Sequence, residues 1–161
     1  MYRLLRQIVI NLALVFTAGS AFASGLESRP GWRVISSGFT FDDLVGRVKD
    51  AVGEEKMLLV TQASASEGAK GQGIAIPGNR IMGVYRNDYA RRMLKASVAA
   101  GIEAPIRFYV TENPDGTATL SWKTPSHVFA PYMEEGGAEL KVLATELDAV
   151  FEAIAAKAVG K

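Results

Sequence analysis

Asn113-Pro114-Asp115-Gly116 separates two runs, Ile106 to Glu112 and Thr117 to Thr124, in which apolar and polar side chains alternate. A glycine-containing turn between two period-two segments commits the chain to an antiparallel hairpin, and the alternation leaves that hairpin with one apolar face that needs cover. The cover lies further along. Leu140, Leu143, Leu147, Val150, Ile154 and Ala158 recur three or four residues apart, with Phe151 beside them. Such a stripe belongs to a helix that must pack on the sheet or on a partner chain. Hairpin and stripe together predict an α+β domain of two layers, with a mostly antiparallel sheet, helices packed on one face and a long C-terminal helix.

The upstream residues extend this pattern. Trp32 to Ser37 is a brief β-type run ended by Gly38, and Thr40-Phe41-Asp42-Asp43 opens a helix with a Thr cap and an acid three residues on. Phe41, Leu44, Val45, Val48 and Val52 keep helical spacing up to Gly53, which is expected to close the helix. Met57 to Thr61 is short and almost wholly apolar, the composition of a central strand. Ala63 to Gly73 is a loop or one weak helix. Arg80 to Arg86 suits a strand, and Asn87 or Asp88 caps a helix whose inward face would be Ala90, Met93, Leu94, Ser97 and Val98. Thr124-Pro125 starts a further helix that Pro131 limits to about two turns.

Residues 1–23 read as a separate object. Arg3 and Arg6 precede an apolar run from Ile8 to Phe16, and small residues follow up to Ala21-Phe22-Ala23. This is the pattern of a secretory signal peptide cleaved after Ala23, and it implies a periplasmic product. Residues 24–31 then form a short flexible leader and residues 32–161 a single domain. Cleavage removes two arginines and no acid, so the formal net charge of +1 becomes −1. A near-neutral chain has no global field to gather nucleic acid or an anionic membrane, and stable membrane insertion after cleavage is not expected.

Composition narrows the chemistry further. The 161 residues contain no cysteine and one histidine. Thiolate metal sites, cysteine nucleophiles, disulfides and multi-histidine metal sites are therefore excluded. There is no Gly-x-Ser-x-Gly, and Gly68 to Gly73 lacks the Gly-Lys-Ser/Thr ending of a phosphate loop. Paired acids such as Asp42-Asp43 and Glu134-Glu135 are sequence neighbours that do not converge on one point of a helix.

Two features remain as candidate sites. His127 opens the short helix after Thr124-Pro125, with Phe129, Tyr132 and Met133 near it in sequence. Between positions 80 and 95, Arg80, Arg86, Arg91, Arg92 and Lys95 stand against one acid, Asp88, and could receive a carboxylate, a phosphate or propionates. The leading expectation is a non-enzymatic binder of a small apolar or anionic ligand, in a pocket between sheet and helices that His127 and Tyr132 line. Haem is its most specific form: iron on His127 with Met82 or Met93, and propionates on Arg86, Arg91 or Arg92. The plain alternatives are a structural His127, and basic residues that pair with the acidic stretch from Glu134 to Glu152. Two other functions stand beside the binder. One is a homodimeric interaction module that uses the Leu140 to Ile154 stripe and no small ligand. The other is an enzyme of unidentified class.

The order of several segments also resembles the domain-of-unknown-function 302 family. They are Leu58-Leu59-Val60, Pro77-Gly78-Asn79 with Ile81 to Val84, Ala104-Pro105-Ile106 leading into Phe108-Tyr109-Val110, Asp115-Gly116, and Trp122 to His127. The resemblance spans roughly residues 34 to 132 and rests on order and spacing. It implies a small α+β domain that pairs as a homodimer. Two departures from the family pattern are visible: proline precedes Gly78-Asn79 at Pro77, and Ala104-Pro105-Ile106 stands where Leu-Pro-Leu is usual.

Overall fold

The hairpin forms as its turn dictates. β4 (Ile106–Glu112) and β5 (Thr117–Lys123) pair antiparallel, with Phe108 opposite Trp122 and Val110 opposite Leu120. Thr117 Oγ1 and N–H both donate to Asp115 Oδ1, at 2.6 and 3.0 Å, and Gly116 takes the positive φ of 82° that the turn requires. The computed structural model describes residues 26–161, so the expected signal segment and its cleavage point lie outside the described residues.

Three more strands complete one antiparallel sheet of order β1-β5-β4-β3-β2, with β1 at Trp32–Thr40, β2 at Leu58–Ala63 and β3 at Asn79–Tyr85. β1 runs through Gly38, with an irregularity in its pairing between Ser36 and Thr40. β2 is not central. It is the outer strand, with Leu58 and Val60 exposed and an extra residue between Leu59 and Thr61 in its pairing with β3. A run of four apolar residues reads alike whether one face or both are covered.

Helices α1 (Phe41–Glu54) and α5 (Met133–Val159) lie on one face of the sheet. Thr40 caps α1 as expected, accepting from the Asp43 N–H, but the helix continues past Gly53 to Glu54. α5 is interrupted at Gly137, whose backbone is not helical, and beyond it the stripe is buried: Leu140, Leu143, Leu147, Phe151 and Ile154 all lie in the core. Phe151 stacks on Phe108 at 4.7 Å between ring centroids, and Phe108 meets Trp122 edge-on at 5.4 Å. The stripe that could have joined two chains is thus the inner side of this one. Arg47 of α1 donates to the Ala158 and Lys157 carbonyls and ties down the end of α5.

α2 (Ala65–Lys70) is a single exposed turn and a half capped by Ser64. α3 (Asn87–Ala96) turns Tyr89 and Met93 inward, while Leu94 and Val98, expected inside, are exposed. The helix stops at Ser97 and a 3-10 turn, Ala99–Glu103, leads the chain away to β4. Extrapolated helical spacing no longer applies past that point. α4 (Pro125–Phe129) has Pro125 in its first turn and Thr124 as its cap.

Candidate functional site

Alternation along β4 and β5 sorts their side chains. Ile106, Phe108, Val110, Ala118, Leu120 and Trp122 enter the core, so Arg107, Tyr109, Ser121 and Lys123 stand on the face without helices. Registers extend the rows across neighbouring strands. Trp32 pairs with Lys123, Arg107 with Gly83, Val34 with Ser121, and Tyr109 with both Ser121 and Ile81. One step beyond the Phe108–Trp122 pair, the same register sets Arg107 directly opposite Lys123.

This end of the open face is a groove of about 380 Å³. Its floor is β4 and β5, Trp32 and Ile81 stand at its sides, and Glu103, His127, Val128 and Pro131 close it. The walls are set by local chemistry. Thr124 Oγ1 accepts from the His127 N–H, Asp148 of α5 accepts from the Ser126 N–H at 2.9 Å, and Phe129 is buried, so α4 is fixed at both ends. The His127 ring lies against Gly31, where an added Cβ would come within 2.1 Å of Cγ, and Gly31 also has a φ of 75°. Gly31 O in turn accepts from the Thr124 N–H at 2.9 Å. The first residues of the domain therefore hold the imidazole in place.

The groove carries an unbalanced charge. Among the described residues, Arg107 and Lys123 make no ion pair and no side-chain hydrogen bond, and His127 is exposed with neither ring nitrogen bonded. Like charges directly opposite on adjacent strands repel. Lys123 Nζ lies 5.8 Å from the centroid of the Trp32 ring, with the Arg29 guanidinium 5.5 Å from the same ring. Ser121 beneath is fully buried, its hydroxyl donating to Tyr109 O at 3.3 Å. Tyr132 Oη donates to Glu103 Oε1 at 2.8 Å, and that hydrogen bond holds the phenol above its ordinary pKa.

The structure does not bring His127 and the arginines of α3 to one hollow. Between sheet and helices the space bordered by Arg86 and Met93 is about 30 Å³, room for about one water, because Tyr89, Phe129, Leu147 and Phe151 fill it. Met82 is fully buried against the helix side of the sheet and Met93 is 4% exposed, whereas His127 borders the other face. Among the described residues no methionine shares the groove with His127. Arg86 is paired with Asp88 at 2.7 Å and lies over the Tyr89 ring at 4.1 Å. Arg92 grips Glu146 through both Nη atoms, at 2.6 and 3.0 Å. These partners lower the Asp88 and Glu146 pKa values, the arginine hydrogen bonds being the largest cause in each. Arg91 is exposed on the same helix. Arg86 and Arg92 are therefore neutralised within the chain, while Arg91 and Lys95 make no ion pair among the described residues. Tyr132 contributes indirectly, through its hydrogen bond to Glu103.

Arg107, Lys123, Trp32, Tyr109 and Glu103 were not among the candidates read from sequence. The hairpin itself contained the signal for two of them, because counting outward from the turn places Arg107 and Lys123 side by side. Among the described residues no group of three or more His, Asp or Glu side chains is arranged to hold a metal ion, and no helix is long and apolar enough to cross a membrane.

Comparison with known proteins agrees with this architecture. A crystal structure of an uncharacterized conserved DUF302 protein from Bacillus stearothermophilus superposes with a TM-score of 0.68 at 16% identity, covering 78% of this chain and 96% of that one. At that identity the likeness shows the fold. No curated protein matches. The family described as domain of unknown function DUF302 matches residues 32–157, reaching past residue 132 through most of α5. The chain belongs to the DUF302 family.

Proposed function

We propose that this is an exported, non-enzymatic binding protein that takes a small anionic ligand with a flat apolar body on the helix-free face of its sheet. The observation that carries the reading is that Arg107 and Lys123, neighbours by the register of β4 and β5, line one groove with no acid paired to either among the described residues. Such a pair costs stability in the free protein, and an anion above it relieves the repulsion. Trp32 and Tyr109 beside it offer ring faces to the apolar body, and His127 offers a donor or, to haem iron, a ligand. Binding is favoured over catalysis because no acid lies within ion-pair distance of His127 among the described residues.

Titration with anilinonaphthalenesulfonate, a flat aromatic anion, tests the site. Saturable binding is expected, weakened about tenfold by Lys123→Gln or Arg107→Gln and by added salt. Unchanged affinity in both variants would refute it. Haem is the second probe: a Soret band lost in His127→Ala would place iron on that imidazole, and no band would remove haem while leaving other anions. Export is tested by the N-terminus of the protein recovered from the periplasm, expected at Ser24.

A second reading, the homodimer, draws support from a patch where α3 meets the 3-10 turn. Leu94, Val98 and Ile102 are 45%, 77% and 80% exposed, and Leu94 packs over Gly101. Exposed apolar clusters of this kind mark interfaces. Light scattering would report a dimer that Ile102→Asp dissociates, whereas a monomeric native protein would end this reading.

A further inference from the structure

Among the described residues Glu103 is the single acid that lines the groove with these cations. It makes no ion pair with Arg107, Lys123 or His127, and one of its oxygens is occupied by the Tyr132 hydroxyl. Tyr132 keeps its proton because the carboxylate accepts it, so the hydrogen bond has a fixed direction. The second carboxylate oxygen has no protein partner among the described residues, and a carboxylate has further acceptor sites on both oxygens.

A lone carboxylate is a liability to a groove that receives only anions, since it repels the same group the cations attract. It becomes an asset when the ligand also carries a cation or a strong donor, because then it rewards the right molecule and penalises one without that group. Resting on the binding reading above, we infer that the ligand is a zwitterion: an acid group over Arg107 and Lys123, a flat body against Trp32 and Tyr109, and a protonated amine on Glu103. Tyr132 is the positioning residue that holds the carboxylate toward the groove.

The test uses a matched pair, L-tryptophan and indole-3-propionate, which differ by one amine, titrated calorimetrically into the full mature protein. Tryptophan is expected to bind about tenfold more tightly, the preference a charge-assisted hydrogen bond confers. Glu103→Gln, nearly the same shape, is expected to abolish the preference by weakening tryptophan while leaving indole-3-propionate unchanged or tighter. Tyr132→Phe is expected to reduce the preference without removing binding of the acid. Equal affinity of the two probes in the native protein, or an equal loss of both in Glu103→Gln, would overturn the inference. So would failure of both indole probes where anilinonaphthalenesulfonate binds, and in that case the groove itself stands. Failure of all three probes would overturn the groove reading as well.

Discussion

The two faces of the sheet are built by the same strands, yet they do opposite things with their side chains. On the helix-covered face Phe108 stacks on Phe151 at 4.7 Å and meets Trp122 edge-on at 5.4 Å, and the hollow beside Phe151 amounts to about 30 Å³. On the open face, one residue away along each strand, Arg107 and Lys123 are set side by side above a floor of backbone and small hydroxyls, beneath about 380 Å³ of open groove. The first arrangement maximises burial and dispersion, the second tolerates repulsion. Stability belongs to one face and recognition to the other, so substitutions on the two faces should separate in their effects.

The largest effect is expected from Phe151→Ala, which removes the ring stacked on Phe108 and should cost about 3–5 kcal/mol in urea unfolding. At temperatures where the variant is folded, its affinity for anilinonaphthalenesulfonate should match the native value, and a parallel loss of binding would break the separation of faces. Gly31→Ala comes next. It forces a side chain into a left-handed backbone and against the His127 ring, so it should cost about 1–2 kcal/mol and shift the His127 ring resonances. A variant with native stability and unchanged resonances would show that Gly31 does not seat the imidazole.

Lys123→Gln sharpens the contrast most directly, because the two readouts should move in opposite directions. Removing one of two opposed cations should raise stability by roughly 0.5 kcal/mol while lowering anion affinity. A loss of both would mean that Lys123 is supporting the fold.

The smallest effect concerns the exposed pair of Arg92 and Glu146. Hydrogen bonds from Arg92 depress the Glu146 pKa, so its contribution is present above the ordinary carboxylate range and is lost as pH falls through the depressed value. The melting-temperature difference between native protein and Glu146→Gln should therefore shrink on acidification. A gap that is independent of pH would assign the pair no electrostatic role.

How much of this was legible in advance differs between elements for physical reasons. The hairpin, the capped start of α1 and the α5 stripe were readable because each is specified by residues close together in sequence. β2 reads as central because an apolar tetrad carries no mark of how many neighbours cover it, and Val98 reads as inside because spacing does not announce where a helix unwinds. His127 stands out in the sequence as the sole imidazole. Its true surroundings come from residues distant in the chain, Trp32 and Glu103 among them, and were invisible to local reading. The α3 arginines form a dense cluster in sequence, but density along a chain does not reveal that Glu146, fifty-four residues away, already holds one of them.

The extra residue at Val60 has a consequence for how the molecule behaves in company. β2 leaves one margin of the sheet bare, and its Leu58 and Val60 are greasy enough to invite a stranger's strand. The irregularity puts the backbone donors and acceptors there out of step, so an incoming strand cannot zip along the margin. Deleting Val60 would bring those donors and acceptors back into step along that border and remove this obstacle to strand addition.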